Sequence, residues 1–206
     1  IFSSYGIREG KFFEMAPREL MDQDPLISAC EYYGFQAGRF SVSRDEVFSW
    51  VKVIFKDIDP REIRLIEAAC LLGDIGWPEH PDYRAMHSFT RVLRLPIAGI
   101  THRERVLLAL SIYHRYGGDE YGPEITITTK LIDQKDRDLA LLLGLVLKLA
   151  HKLSGGVTGL LIQTKLVKTK NGYLVDFSNK EHLFNKTYAA NLITKINKHI
   201  RSIEFC

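Results

Sequence analysis

The sequence has few cysteines and no long apolar segment, and both absences limit the kind of protein it encodes. Its 206 residues include three cysteines, Cys30, Cys70 and Cys206, which are widely spaced and form no Cys-x-x-Cys pair. This usage argues against a disulfide framework or a zinc knuckle and fits a reducing cytoplasm. The longest apolar run covers residues 139–147, whereas a helix that spans a bilayer needs about 20 apolar residues. We therefore expect a cytoplasmic protein with no membrane span.

Several catalytic and nucleotide-binding signatures are also missing. The sequence contains no Gly-x4-Gly-Lys-Ser/Thr loop, no Gly-x-Gly-x-x-Gly after a strand, no Gly-x-Ser-x-Gly elbow and no His-Glu-x-x-His. These absences argue against P-loop, dinucleotide-binding, α/β-hydrolase and zincin enzymes. The chain begins without an initiator Met, a basic leader or a cleavable apolar segment, from which we expect a piece of a longer protein.

Charge is distributed unevenly along the chain. Residues 151–206 hold nine Lys or Arg against three acids, whereas the formal net charge of the whole chain is +3. A basic end on a nearly neutral body suits a polyanionic ligand such as polyphosphate, a nucleotide or nucleic acid. Solvated lysines that keep a small appendage soluble explain the same pattern, and the sequence leaves both explanations open.

Helix-capping chemistry predicts most of the helices before residue 155. Ser43, Asp59 and Thr101 each precede a Glu by three residues, a pattern typical of helix starts because side chain and backbone then satisfy each other's hydrogen bonds. Asp24-Pro25 repeats the device without the Glu. With apolar periodicity, these starts predict helices over residues 25–34, 44–56, 60–73, 82–94, 102–116 and 134–154. The helices over 60–73, 102–116 and 134–154 are the most apolar, so we expect them at the buried centre.

The pattern changes after Ser154-Gly155-Gly156, which indicates a helix stop. Residues 160–167 and 173–177 are rich in β-branched and apolar side chains and flank Asn171-Gly172, a combination that predicts a β-hairpin. A helix start is predicted at Ser178-Asn179-Lys180-Glu181, and Tyr188, Leu192 and Ile196 then form an apolar stripe at helical spacing. The predicted fold class is mainly α, a helical bundle followed by a small β-hairpin and a C-terminal helix.

Five motifs occur in a suggestive order: Ser4-Tyr5-Gly6-Ile7-Arg8-Glu9-Gly10, Gln23-Asp24-Pro25-Leu26, Ala69-Cys70-Leu71-Leu72-Gly73-Asp74-Ile75-Gly76-Trp77, His80-Pro81-Asp82-Tyr83-Arg84 and Tyr113-His114-Arg115-Tyr116. Together they resemble the C-terminal half of the exopolyphosphatase/guanosine pentaphosphate phosphatase (Ppx/GppA) family. That half is similar to an HD-type phosphohydrolase bundle, in which a His-Asp doublet closes a buried helix. Here the doublet's His is replaced by Gly73.

The resemblance implies a domain organisation. Residues 1–24 would connect to N-terminal actin-like domains that this sequence does not contain. Residues 25–154 would form a degenerate HD-like bundle, and residues 155–206 would form a hairpin and a helix packed on that bundle. The two glycines around Arg8 and Glu9 suggest a tight turn where domains meet. We expect Arg8 and Glu9 to help fix that domain interface.

An HD-type metal site would draw on Asp74, His80, His87, His114 and His151. A phosphohydrolase of this kind needs neutral imidazoles and a carboxylate around a divalent cation. The doublet has lost its imidazole, and no His precedes Asp74 anywhere in residues 1–73. We therefore predict no metal ligand and no catalytic residue in this chain, and we expect Asp74 to cap its helix or accept backbone hydrogen bonds.

Phosphate binding is the second chemistry that the motifs suggest. Arginines grip phosphate oxygens bidentately while Tyr and His donate further hydrogen bonds. If the helices pack as in an HD-type bundle, the candidate phosphate-binding residues converge; they are His80, Tyr83, Arg84, His87, Arg91, His114 and Arg115. The opposing interpretation is that Arg84 and Arg91 are ordinary exposed positions on one helix.

The resemblance leads to a functional expectation. The intact protein would release terminal phosphate from inorganic polyphosphate or guanosine pentaphosphate, with Mg2+ held in the N-terminal actin-like half. This portion would need no cofactor, would extend polyanion binding, would contribute to a homodimer and would be non-catalytic by itself. Two alternatives remain open: an autonomous metal-dependent HD phosphohydrolase acting on nucleotides, and a pure dimerisation module.

Overall fold

The helices follow the predicted order, and the fold class is confirmed as mainly α. The computed structural model describes residues 7–37, 44–55, 58–119, 121–178 and 181–204. Within these ranges the α-helices are α1 (Ile7–Glu14), α2 (Arg18–Met21), α3 (Pro25–Ala37), α4 (Arg44–Val51), α5 (Pro60–Leu71), α6 (Arg84–Arg94), α7 (His102–Arg115), α8 (Pro123–Thr128), α9 (Gln134–Ser154) and α10 (Lys186–Glu204). Short 3₁₀ helices cover Thr129–Leu131, Leu161–Gln163 and Glu181–Leu183, and the strands are β1 (Lys165–Thr169) and β2 (Gly172–Asp176).

Local capping explains where several helices begin. The Asp59 carboxylate accepts from the Arg61 amide at 2.8 Å, and Pro60 occupies the first helical turn of α5. Thr101 and Glu104 form the reciprocal capping box at the start of α7. Asp24 Oδ1 accepts from the Leu26 amide at 2.9 Å at the start of α3. Each side chain satisfies an amide that the helix itself cannot pair. The predicted cap at Ser43 lies outside the described residues.

The buried centre consists of α5, α7 and α9, as the apolar patterns predicted. Every residue of α7 from Val106 to Arg115 is buried. Helices α7 and α9 approach closely at Gly144, where an added Cβ would lie 2.4 Å from His114 Cβ and 2.7 Å from the Ser111 carbonyl oxygen. The absence of a side chain at this position therefore allows the two central helices to pack with little space between them.

The hairpin is confirmed, but its first strand is shorter than predicted. Strands β1 and β2 pair antiparallel from Lys165 opposite Asp176 to Thr169 opposite Gly172. The β-prone residues 160–163 instead form a 3₁₀ turn, because the buried Glu46 carboxylate on α4 accepts from the amides of Gly159 (2.8 Å), Leu161 (2.8 Å) and Ile162 (3.2 Å). A long-range acceptor thus overrides the local strand propensity.

The C-terminal helix begins later than predicted. Helix α10 starts at Lys186, where Asn185 Oδ1 accepts from the Tyr188 amide at 3.0 Å, and the predicted start at Ser178 is wrong. Ser178 has a positive φ of 47°, a conformation that a helix start does not use. The stripe buries Leu192 and Ile196 in the common core, so α10 packs on the bundle.

The predicted turn at the N-terminal glycines is also wrong in part. Residues 7–14 form helix α1, and Gly10 lies within it and is exposed. A single glycine weakens a helix by only about 1 kcal/mol relative to alanine. The side chains of Arg8 and Glu9 lie outside the described part of the structure, so their role at a domain interface stays a prediction.

None of the helices in the described ranges has the length and apolar character required to cross a lipid bilayer.

Candidate functional site

Asp74 lies in the turn that follows α5 and faces the end of α7. The turn is held by backbone hydrogen bonds from the Ile75 amide to the Leu72 carbonyl (3.0 Å) and from the Trp77 amide to the Asp74 carbonyl (2.9 Å). Arg115 Nη2 donates to Asp74 Oδ1 at 2.9 Å, and the two side chains are each 10% exposed. His151 Nδ1 lies 3.4 Å from the same oxygen. Asp74 thus joins a cationic side chain of α7 to an imidazole of α9.

The position of the lost doublet histidine is packed against another imidazole. A Cβ added at Gly73 would lie 2.3 Å from His151 Nε2, so the ring of His151 occupies the space beside Gly73. Within the described residues, no group of three His, Cys, Asp or Glu side chains is arranged to hold a metal ion. The residues around Asp74 therefore do not fit an HD-type metal, and the Asp74 carboxylate contacts a guanidinium instead.

A cavity of about 500 Å³ opens beside this cluster. Four cationic side chains line it: Arg84 at the start of α6, Arg115 at the end of α7, and Lys148 and Lys152 on α9. We call this site the cationic pocket. Its remaining lining residues are Trp77, Pro81, Tyr116, His151, Gly155 and Tyr188. The elements that supply the cations are far apart in sequence, and the packing of α7 on α9 brings them together.

Aromatic rings hold the cations in place. The guanidinium carbon of Arg84 lies 4.8 Å from the ring centroid of Trp77, and that of Arg115 lies 4.2 Å from the ring centroid of Tyr116. Lys152 Nζ lies 5.4 Å from the ring centroid of Tyr188. Such contacts attract a cation to the ring face. They restrain the positions of these three side chains in the pocket.

The loop between α5 and α6 is pinned by hydrogen bonds from the pocket's own residues. Arg84 Nη2 donates to the carbonyl oxygens of Glu79 (2.8 Å) and Trp77 (3.2 Å). The Gly76 amide donates to the Tyr116 hydroxyl at 3.0 Å, and burial raises the pKa of that hydroxyl. The loop is thereby fastened to both α6 and α7, which fixes the relative positions of Arg84 and Arg115.

Lys148 is the half-buried cation of the pocket. Burial lowers the pKa of its ammonium, and Lys195, Lys152 and Arg115 lower it further through charge repulsion. Gly117 has a positive φ of 90°, and a Cβ there would lie 2.8 Å from Lys148 Nζ. The glycine therefore serves both the turn after α7 and the close approach of the lysine.

The seven predicted phosphate-binding residues do not converge. Only Arg84 and Arg115 line the cationic pocket. The Tyr83 ring instead contacts both histidines: it stacks on His87 at a ring-centroid distance of 5.8 Å and lies tilted against His80 at 5.9 Å. His87 Nδ1 also lies 2.8 Å from a Glu79 carboxylate oxygen. We call His80, Tyr83 and His87 together the histidine face. Its central residue, Tyr83, is 61% exposed.

Arg91 and His114 lie in two further places. Arg91 Nη1 donates to the Ile75 carbonyl at 3.1 Å and borders a separate depression with Glu79 and His87. His114 Nδ1 lies 2.8 Å from the Gly118 carbonyl and its Nε2 3.1 Å from the Tyr121 hydroxyl, and burial lowers its pKa. Successive residues of a helix point about 100° apart, so Arg115 can face the pocket while its neighbour His114 cannot.

Eight of the ten residues that line the pocket were not among the predicted phosphate-binding residues, and the two lysines are the most important of these. Lys148 and Lys152 are four residues apart, which places them on one face of a helix. That spacing, next to His151, was the available signal. The apolar character of the rest of α9 hid it, because the helix was interpreted only as a core element.

Comparison with known proteins agrees with the motifs. The model of the family described as "Exopolyphosphatase, C-terminal" matches residues 48–189, more than half of the chain. Retrograde regulation protein 2 of Saccharomyces cerevisiae is 28% identical over 124 residues, which cover 57% of this chain but only 20% of that protein. The match to the family model includes α5, α6, α7 and α9, the elements that build the cationic pocket. The chain therefore belongs to the exopolyphosphatase C-terminal domain family.

Proposed function

We propose that the cationic pocket binds phosphate groups of a linear polyanion, either inorganic polyphosphate or guanosine pentaphosphate. The observation that carries the proposal is the convergence of Arg84, Arg115, Lys148 and Lys152 on one cavity of about 500 Å³. Arginine and lysine bind phosphate oxygens through charge-assisted hydrogen bonds. Asp74 offsets part of this positive charge through its contact with Arg115 at 2.9 Å. Asp74 itself is not one of the residues that line the pocket.

The pocket has room for more than one phosphate group, and its two arginines are restrained before a ligand arrives. Arg84 is held by backbone carbonyls and Trp77, and Arg115 is held by Asp74 and Tyr116. Side chains that are ordered in advance lose less conformational entropy on binding. This arrangement supports recognition of a repeating anion along a track.

The whole protein, in this proposal, is a phosphoric anhydride hydrolase of the exopolyphosphatase kind. Its chemistry and its Mg2+ belong to N-terminal actin-like domains, and the portion described above lengthens the polyanion track without catalysing hydrolysis. Helix α1 would contact those domains, since Ile7, Phe12 and Met15 are exposed.

We also propose that the protein forms a homodimer. The exposed aromatic side chains of α3 support this: Tyr32 is 58% exposed and Phe35 is 83% exposed. Exposed aromatic residues are enriched at protein interfaces. Analytical ultracentrifugation of the wild type and of Phe35→Ser tests the idea, and a wild type that stays monomeric at high micromolar concentration would contradict it.

Calorimetric titration with inorganic triphosphate, medium-chain polyphosphate and guanosine pentaphosphate tests binding in the cationic pocket. Lys152→Ala should weaken binding about fivefold to tenfold, because one charge-assisted contact is lost. Lys165→Ala is the matched control, since it removes an equal charge from an exposed position on β1. Equal losses in the two variants, or no binding to the wild type, would refute the proposed site.

Two further measurements separate this proposal from an autonomous HD phosphohydrolase. We expect no phosphate release when the 206-residue chain is incubated with polyphosphate and Mg2+. We also expect elemental analysis of protein purified without chelator to show no stoichiometric Mn, Fe or Zn. Turnover together with a bound metal would favour the autonomous enzyme.

A further inference from the structure

Lys148 has a position that phosphate binding alone does not require. It projects from α9, and its side chain lines the same cavity as Arg84, Arg115 and Lys152. None of the described carboxylates forms an ion pair with its ammonium, and the nearby charges are mostly positive, with Asp119 as the opposing one. Lys148 is therefore a lysine held inside an anion site by packing.

We propose that Lys148 is a modification site that is acylated by small acyl phosphates, whose phosphate group is bound by Arg84 and Arg115 in the cationic pocket. This inference rests on the proposed function, because it uses the same affinity for phosphate. An acyl phosphate combines the two features that the pocket addresses: a dianionic phosphate for the arginines, and a carbonyl carbon that an amine can attack.

The reaction needs no cofactor or further reactant. The neutral Lys148 amine attacks the carbonyl carbon, a nitrogen–carbon bond forms and the carbon–oxygen bond to phosphate breaks. The phosphate leaves with the bonding electron pair, and the nitrogen loses its proton to the departing phosphate or to solvent. The products are an N-acyl lysine and inorganic phosphate.

Three features of the surroundings favour this step. A nucleophilic amine must be neutral, and burial together with Lys195, Lys152 and Arg115 favours the neutral form of Lys148. The arginines hold the leaving group and stabilise the charge that develops on it. Lys152 lies on the exposed side of α9 and packs over Tyr188, so it provides a comparison within the same pocket.

Acylation would also regulate the pocket. It converts one of the four cations into a neutral amide that is larger than the amine it replaces. Charge-assisted contacts to phosphate are lost, so we expect the affinity for triphosphate to fall about tenfold or more. A rise in the concentration of an acyl phosphate would in this way lower the affinity of the pocket for polyanions.

Site-resolved mass spectrometry of the 206-residue chain treated with acetyl phosphate tests the proposal. We expect Lys148 to be acetylated at least about tenfold faster than the exposed Lys165. Inorganic triphosphate should slow the reaction at Lys148 and leave Lys165 unchanged. Acetic anhydride serves as a control donor that has no phosphate group. With this donor we expect Lys148 to lose its rate advantage over Lys165. Triphosphate should then slow the reaction at Lys148 only by covering the side chain.

The outcomes separate this inference from the proposed function. If triphosphate binds in calorimetry but Lys148 reacts with acetyl phosphate no faster than Lys165, the inference is wrong and the phosphate site stands. If triphosphate does not bind, the phosphate site and the inference both fail. A reaction at Lys148 that is equally preferred with acetic anhydride, and that triphosphate does not slow, would show reactivity without phosphate recognition and would also overturn the inference.

Discussion

The cationic pocket and the histidine face each adjoin a contact between a carboxylate and a basic side chain, but one contact is buried and the other is exposed. Beside the pocket, Asp74 contacts Arg115; the two side chains are each 10% exposed and lie about 40 residues apart in sequence. In the histidine face, His87 is 53% exposed and pairs with Glu79, eight residues away. A carboxylate contact therefore has a larger structural role in the buried region than in the exposed one, because water competes for the carboxylate at the surface.

Asp74→Asn should have the largest effect on stability. The substitution keeps the shape of the side chain but leaves the Arg115 guanidinium without its counter-charge in a buried site, which costs about 3 kcal/mol of unfolding free energy. Urea denaturation followed by circular dichroism measures the loss. Asp82→Asn is the matched control, since Asp82 is 79% exposed and lies 3.7 Å from His80. Equal losses in the two variants would contradict the distinction between the regions.

Gly73→Ala should destabilise the protein by about 1–3 kcal/mol, because its Cβ would overlap His151 Nε2. In a His151→Ala background the same change should cost clearly less, since the obstructing ring is gone. A double-mutant cycle in urea measures the difference. Gly10→Ala in α1 is the control: no atom lies within 4 Å of its added Cβ, so it should stabilise by about 0.5–1 kcal/mol. A coupling energy of zero between residues 73 and 151 would contradict the interpretation that the added Cβ overlaps the His151 ring.

The buried His114 should make stability depend on pH. Burial lowers its pKa in the folded state, so between that value and the unfolded value of about 6.5 the unfolded chain binds more protons. Its contribution is therefore complete above about pH 6.5 and is lost as the pH falls through the folded pKa. His114→Gln should flatten the slope of the melting temperature between pH 7 and pH 5. The exposed His80→Gln should leave that slope intact, and the reverse result would contradict the assignment.

Glu79→Gln should have the smallest effect. The carboxylate contacts His87 at 2.8 Å, but the histidine is 53% exposed, and exposed ion pairs contribute less than about 1 kcal/mol. We expect the melting temperature to change by less than about 2 °C in differential scanning calorimetry. A loss as large as that of Asp74→Asn would mean that the histidine face supports the fold.

Six of the nine α-helices that the structure describes before residue 155 were predicted, because their signals are local, whereas the short helices α1, α2 and α8 were not predicted. Asp59, Thr101 and Asp24 each cap the helix that follows them, and a cap acts over only three residues. The length of the first strand was mispredicted because a distant group intervenes. Glu46 draws residues 159–162 into a turn, and no property of that segment itself indicates the acceptor.

Two of the seven predicted phosphate-binding residues line the cationic pocket, and for the two arginines of α6 the reason is their distance along the helix axis. Arg84 and Arg91 are seven residues apart on α6, which separates them by about 10 Å along the axis. The first reaches Trp77 and the second reaches the Ile75 carbonyl. A list of charged residues does not show which of them lie beside the same cavity, although the pair Lys148 and Lys152 could have been found by its spacing.

The amino-acid sequence by itself determined the helical class, the capped starts of α3, α5 and α7, the hairpin and the loss of the histidine before Asp74. These follow from hydrogen bonding and apolar periodicity over a few neighbouring residues. Only the tertiary structure decided that His151 fills the space at Gly73 and that Arg84, Arg115, Lys148 and Lys152 share a cavity. Such neighbours are set by the close packing of α7 on α9, which depends on many side chains at once.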